Sequence, residues 1–345
     1  MKVILLCFVA LLKNSFIITM TKKILFLINP VSGHGRQKTV EKLIESELDK
    51  EKLEVTIEYT KYKAHAREIA GQAVGKYDAV VAVGGDGTVN EVASKLVGTD
   101  TALAIIPTGS GNGLARFLHI PMRLTKAIQS LNWFNEKKID TLKVNQYCSV
   151  NVAGIGFDAH ISHNFEGRKL RGPLGYLQLI TTEFGTYKAD TYSMNINGSL
   201  LKRKAFLISF ANSSQYGNNI HIAPNAKIDD GLMDVCIIDD FPKFTAPAMI
   251  YKLIERSINK DEKEEILRTK KVVINHPDII KAHIDGEPVT LGKQAIIEIN
   301  PLSLKVIVPP KHLIENSILD PLKDIIPNLK EGMSIENIWK LKKEN

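Results

Sequence analysis

"AVVAVGGDGTVNEV", Ala79 to Val92, runs five apolar residues straight into Gly84-Gly85-Asp86-Gly87-Thr88. The apolar run has the length of a strand buried on both faces, and Thr88–Val97 resumes at helical spacing. Between them, three glycines within four positions leave the backbone bare, so something must approach it closely. A buried strand, a glycine turn and a helix make up one unit of a sheet with helices packed against it. The same alternation recurs on either side. Ile24–Ile28, Leu53–Tyr59, Asp78–Val83 and Ala102–Ile106 read as strands, and Lys38–Leu48, Ala64–Ala73 and Asn112–Leu118 as helices. This order predicts a doubly wound α/β first domain over residues 20–140, with ligand at the carboxyl ends of its strands.

After about Leu131 the texture changes to short β-rich runs separated by Asn, Gly, Asp and Pro turns. Examples are "KIDTLKVN", "QYCSVNVAG", "KVVINH" and "AIIEIN", with "LSLKVIVPP" as a last strand. They predict a β-rich, antiparallel, sandwich-like second domain over residues 141–309. Two helices interrupt it, "GPLGYLQLITTEF" and "TAPAMIYKLIERS". Residues 310–345 read as a helical extension. The apolar run in "MKVILLCFVALL" is too short to span a bilayer and lacks a small-residue cleavage site, so residues 1–19 read as a leader or an upstream start.

With 345 residues the chain can bury two cores. Its 44% apolar and 24% charged content is that of an ordinary globular protein. A net charge of +7, spread along the chain, allows attraction to phosphates or an anionic bilayer but argues against nucleic acid as a partner. Cys7, Cys148 and Cys236 have no metal-site spacing and are too few for a disulfide framework, so they read as reduced thiols. His160 and His163 lack a third ligand and read as structural.

Three loops follow three successive first-domain strands: "INPVSGHGR" (28–36), "VGGDGTVNE" (83–91) and "IPTGSGNGLAR" (106–116). Each offers free backbone N–H groups, small residues and a helix N-terminus, which together suit a polyanion. The candidate nucleotide residues are Asn29, Pro30, Ser32, Gly33, Arg36, Gly84, Gly85, Asp86, Gly87, Thr88, Asn90, Glu91, Thr108, Gly109, Ser110, Gly111 and Asn112. Thr60, just past the second strand, is counted with them. A carboxylate among phosphate loops must manage a cation or a hydroxyl, and phosphoryl transfer needs both handled. No loop is a Walker A, and none has Rossmann spacing.

These three loops, in this order, resemble the nucleotide loops of the diacylglycerol kinase catalytic domain, a family related to sphingosine kinases, NAD kinases and phosphofructokinases. The resemblance extends from Lys22 to Pro309. "VAGIGFDAHISH", "HIAPNAKIDDGLMDV" and "HIDGEPV" are similar to that family's lipid-domain elements. It implies Glu287 as the base accepting a proton from a lipid hydroxyl, with Asp285 beside it and Asp86 in the catalytic set. It further implies Mg²⁺ near Asp230, partly held by backbone carbonyls. Asp230-Gly231 and Asp285-Gly286 also have the composition of tight hairpin turns. Arg116 and the cluster Arg168, Lys169, Arg171 are candidates for phosphate or lipid contact. One departure stands out: where many bacterial diacylglycerol kinases carry an acidic residue in the third loop, this chain has Gly113. The change resembles the sphingosine kinase form and widens the acceptor to sphingoid bases.

The expected activity is ATP-dependent phosphorylation of a membrane lipid hydroxyl, with Mg²⁺. The expected setting is the cytoplasm, with reversible attachment to the inner face of the membrane and a homodimer as one possible assembly. Two alternatives stand beside it: a soluble-substrate kinase of NAD-kinase type, and a non-catalytic binder of nucleotide or lipid.

Overall fold

The computed structural model describes residues 21–32, 37–165, 179, 182–260 and 263–314. Its first part alternates as the apolar spacing dictates. The strands are β1 (Lys22–Ile28), β2 (Leu53–Tyr59), β3 (Ala79–Gly84) and β4 (Ala102–Pro107). The helices are α1 (Gln37–Glu47), α2 (His65–Ala73), α3 (Asp86–Leu96), α4 (Gly113–Phe117) and α5 (Leu124–Ser130). The strands pair in parallel in the order β2-β1-β3-β4. β1, β3 and β4 are apolar nearly throughout because helices cover both faces of the sheet, leaving no solvent side. Register brings Ile28 opposite Val83, and Gly84 opposite Pro107, so the loops leaving these strands emerge side by side.

The second part is antiparallel. Its strands are β5 (Glu136–Val144), β6 (Tyr147–Ser149), β7 (Val152–Gly156), β8 (Asp190–Ile196), β9 (Ser199–Ala211), β10 (Gln215–Gly217) and β11 (Ile220–His221). They continue as β12 (Met233–Asp239), β13 (Glu264–Thr269), β14 (Lys271–Asn275), β15 (Lys281–Ile284), β16 (Glu287–Thr290) and β17 (Gln294–Ile307). Helix α6 (Phe157–Phe165) follows β7, and α7 (Ala246–Ile254) follows β12. The main path runs β16-β15-β7-β9-β8-β14-β17, with β12 and β13 branching from β9 and β5 and β6 from β17. Two buried clusters flank these strands, one built on Met194, Phe210 and Ile274 and the other on Phe157, Phe206 and Phe241.

Three features differ from the expectation. "AIIEIN" and "LSLKVIVPP" are one strand, β17, bent near Pro301 and Leu302, where the register shifts. Its first half pairs with β14, and its far end lies parallel to β4 at Val306–Leu103, so one sheet runs through both parts. The division expected at residue 140 falls inside β5, which pairs along the length of β17. "FDAHISHNF" is helical, although its glycine-rich approach gave no such periodicity. Most of the helix expected at 172–184 lies outside the described residues, with 179 and 182–184 helical, and so do most of the C-terminal extension and the leader.

Candidate functional site

The glycines of the second and third loops chiefly make room for the protein itself. A Cβ on Gly109 would lie 2.4 Å from the Gly85 Cα, so the two loops touch backbone to backbone. A Cβ on Gly84 would meet the Thr88 side chain at 2.4 Å, and one on Gly111 would meet Asp86 Oδ2 at 2.8 Å. Gly87, in the first turn of α3, faces Glu287, whose Oε1 is 3.0 Å from where its Cβ would be. At these glycines the second and third loops pack on one another and on Glu287. They bring Thr88, Asp86 and Glu287 together around the N-terminus of α3, an end that favours negative charge.

Asp86 opens that helix. Its Oδ2 accepts the Asn112 N–H at 2.8 Å and its Oδ1 the Gly113 N–H at 2.7 Å, which ties the second loop to the third. Burial pushes the carboxyl up to about 6, against the pull of these two N–H groups and with a further push from the Asp285 carboxylate. Such a group changes charge close to neutrality, as a proton carrier must.

Glu287 comes from the opposite direction, on the turn between β15 and β16. This turn is held from three sides. Asp285, left-handed at φ 49° and buried, accepts five hydrogen bonds. Its Oδ1 takes Ser149 Oγ at 2.6 Å, Asn151 N at 3.0 Å and Val152 N at 3.1 Å. Its Oδ2 takes Asn90 Nδ2 and Val150 N at 2.8 and 2.9 Å. Asn90 belongs to α3, so Asp285 bridges that helix to the antiparallel strands. The expectation that Asp285 joins Glu287 in proton chemistry is corrected, because its acceptor positions are already occupied.

The second hold is a buried His–Asp pair. Gly286 N–H donates to His283 Nδ1 at 3.3 Å, leaving Nε2–H to donate to Asp158 Oδ2 at 3.1 Å. Tyr216 and Ser209 hydroxyls also reach Asp158 Oδ2, at 3.0 and 3.2 Å. Gly154 is obligatory there, since its Cβ would lie 2.2 Å from that oxygen. The third hold is Ser162 Oγ, which donates to the Gly286 carbonyl at 2.6 Å. The Glu287 carboxylate itself stays half exposed and pairs with Lys63 at 3.2 Å.

The remaining sequence candidates fall around this centre. Asn29 Nδ2 donates to Thr88 Oγ1 at 3.1 Å, and Ser32 and Thr108 hydroxyls meet at 2.9 Å, so the first loop is tied to the other two. Pro30 lies between them, and Ser110 is exposed at the tip of the third loop. Thr60 is buried, with its N–H on the Ile28 carbonyl. Glu91 Oε1 accepts the Ala64 N–H at 2.9 Å, turning it to the loop after β2 rather than to the glycine cluster. Arg116 Nε bonds the Gly111 carbonyl at 3.0 Å, buttressing its own loop. Gly33, Arg36, Arg168, Lys169 and Arg171 lie outside the described residues.

The magnesium expectation at Asp230 is not met by the residues there. Asp230 Oδ2 pairs with the Arg268 guanidinium, which also reaches Asp234 at 3.2 Å, and Oδ1 accepts the Leu232 N–H at 3.2 Å. Asp229 is paired with Lys137 at 3.0 Å. Among the described residues no three Asp, Glu, His or Cys side chains gather in a way that could hold a metal ion. A divalent ion at Asp230 would have to displace Arg268.

Sequence reasoning missed Lys63, Asn151, Ser209, Tyr216 and His283. The only local signal was that His283 stands two residues before the Asp-Gly-Glu run; the other four lie far away along the chain. Gly113 is also explained. A Cβ there would sit 2.5 Å from Asn151 Nδ2 and 2.6 Å from the Tyr216 carbonyl, so this structure has no room for an acidic side chain.

With this geometry in place, comparison with known proteins is consistent across the chain. Residues 23–144 match the diacylglycerol kinase catalytic domain, and residues 151–308 match the YegS C-terminal NAD kinase beta sandwich-like domain. A Yersinia enterocolitica protein named probable lipid kinase YegS-like is 30% identical over 264 residues, 74% of this chain and 86% of its own length. An Escherichia coli O1:K1 protein named probable lipid kinase YegS is 32% identical over 241 residues, 67% of this chain and 78% of its own. The crystal structure of a diacylglycerol kinase from Bacillus anthracis shares the fold, with TM-score 0.66 at 20% identity over 84% of this chain and 98% of that one. The two domain matches and these relatives show that the chain belongs to the YegS-like family of lipid kinases.

Proposed function

We propose that the protein transfers the γ-phosphoryl group of ATP, bound with Mg²⁺ as the nucleotide's own counter-ion, to the hydroxyl of a membrane lipid of the diacylglycerol or sphingoid class. The observation that carries this reading is the meeting of Glu287 with Gly87. It delivers a carboxylate from the antiparallel part to the N-terminus of α3, beside Asp86. The nucleotide's phosphates would lie on the loops after β1, β3 and β4. Glu287 would accept the hydroxyl proton as the lipid oxygen attacks phosphorus, while Asp86 holds the third loop and orients the acceptor. Asp285 and the Asp158–His283 pair would fix the turn, so that little of the geometry has to be found during the reaction.

A lipid acceptor also requires contact with a bilayer. No helix among the described residues is long and apolar enough to cross a membrane. The turn before α7 exposes Phe244 to 84%, and Tyr251 and Ile250 follow on the helix at 62% and 41%. An apolar face of this kind supports reversible docking on the inner membrane surface from the cytoplasm.

The test is transfer of labelled phosphate from ATP to mixed micelles of diacylglycerol, sphingosine, ceramide or monoacylglycerol, with NAD as the soluble comparison. Lipid product that vanishes in Glu287→Gln supports the reading. Product on NAD alone, or none on any lipid at saturating Mg²⁺, refutes it.

A further inference from the structure

The loop between β2 and α2 carries no glycine and was passed over in the sequence except for Thr60, yet it reaches the centre of the site. Lys63 Nζ lies 3.2 Å from Glu287 Oε2, across the gap between the nucleotide sheet and the β15–β16 turn. Its neighbours hold it there. Ala64 adopts φ 72°, a left-handed conformation that costs a residue with a Cβ about 1 kcal/mol or more, and persists only where the surroundings enforce it. The enforcement is visible: Ala64 N–H is clasped by Glu91 Oε1 at 2.9 Å, from the same helix that begins at Asp86. On the other side, the Tyr62 ring packs on His65 at 4.5 Å between centroids, and the Tyr62 hydroxyl donates to Glu68 at 2.7 Å. His65 Nδ1 accepts the Lys61 N–H at 3.2 Å. The loop is thus braced at both ends, with its lysine aimed at the candidate base.

The charges around the site give this lysine a task. Asp86, Asp285 and Glu287 place three carboxylates around the start of α3, and the cations within the three glycine loops are Arg36, outside the described residues, and Arg116, whose Nε bonds the Gly111 carbonyl. A phosphoryl group in flight carries its negative charge on three equatorial oxygens, which need a cation beyond the nucleotide's own Mg²⁺. An acceptor hydroxyl bonded to Glu287 lies about 3 Å from that carboxylate, and the phosphorus it attacks about 3 Å further on. Those equatorial oxygens are then within a side-chain rotation of Nζ.

We propose that Lys63 is the cation that neutralises the transferring phosphoryl group; this rests on the lipid kinase reading above. In the step, the lipid hydroxyl gives its proton to Glu287 and its oxygen forms a bond to the γ-phosphorus. The bond from that phosphorus to the β–γ bridging oxygen breaks, and ADP leaves with the electron pair. Lys63 keeps its protons throughout. Without nucleotide it pairs with Glu287. With nucleotide, an ammonium carrying three N–H groups can bridge Glu287 and a phosphoryl oxygen, and so draws the base to its target.

The experiment compares wild type with Lys63→Met and Lys63→Arg. Lys63→Met is expected to lower kcat roughly a hundredfold, the scale of losing one donor aimed at transition-state charge, with KM for ATP within about threefold. Lys63→Arg should recover to within about tenfold of wild type. The two ends of the reaction separate by calorimetry: ADP should bind both proteins alike, whereas ADP with aluminium fluoride should bind Lys63→Met at least about tenfold more weakly. The inference is overturned if Lys63→Met keeps kcat within about threefold, if ADP alone is weakened as much as the analogue, or if both proteins bind the analogue equally. A wild type that phosphorylates no lipid overturns the parent reading instead, and the analogue arm needs no lipid.

Discussion

Replacing Asp285 with Asn separates a positioning role from a chemical one. The variant keeps size, shape and backbone, because Asn accepts the left-handed φ of 49° as readily as Asp does. It can present only one acceptor oxygen. If that oxygen serves Ser149, Asn151 and Val152, the new amide points its own hydrogens at Asn90 Nδ2 and Val150 N. Two buried donors are stranded, at about 1–3 kcal/mol each, and the three surviving bonds lose their charge assistance. Removing a buried carboxylate returns part of this, leaving a net loss of roughly 3–5 kcal/mol. For a chain of this size that is a fall in Tm of about 4–7 °C, read by scanning calorimetry. Kinase activity should fall as well, because the turn under Glu287 loosens. Glu287→Gln is the counterpart: activity is lost while Tm stays within about 2 °C, because the Glu287 carboxylate is half exposed and its ion pair with Lys63 lies at the surface. An Asp285→Asn protein that melts with wild type but has lost turnover would refute the positioning argument and return Asp285 to the chemistry.

Three further outcomes follow from the site. Asp86, raised to about 6 when folded, binds its proton more tightly in the folded state than unfolded, so stability is lost as pH rises from about 4 to about 6. Asp86→Asn should therefore gain about 5 °C relative to wild type between pH 4 and pH 7, and a difference that ignores pH would contradict this. Gly113→Ala should lower Tm by about 1–4 °C by overpacking against Asn151 and Tyr216; an unperturbed Gly113→Ala protein would show that the gap can open. His283→Ala frees the Gly286 N–H, and kcat should drop about tenfold with KM for ATP unchanged, whereas a change confined to KM would place His283 elsewhere in the mechanism.

The nucleotide half of the site was legible because a parallel sheet covered on both faces demands unbroken apolar runs, and each run here ends in its own glycine loop. What those glycines were for was not legible. Gly87 and Glu287 touch, yet nothing at either position announces the other, and the acid at Asp86 finds its donors on a different loop. Asp285 was misread for a related reason. Two residues from Glu287 in the chain, it shares the chemistry of that residue in any local reading, whereas its five donors come from Ser149–Val152 and Asn90. β17 was split because an apolar alternation says which face of a sheet a residue takes, not which sheet it joins.

The far end of β17 has one more consequence, and it concerns time. β4 pairs with β3 on one side, but on the other it waits for Val306, about two hundred residues further along the chain. At roughly 5–20 residues per second of synthesis, that edge stays unpaired for about 10–40 s after β4 itself has been made. The first half thus leaves the ribosome early, and its β4 edge stays open until β17, the last described strand, has been made.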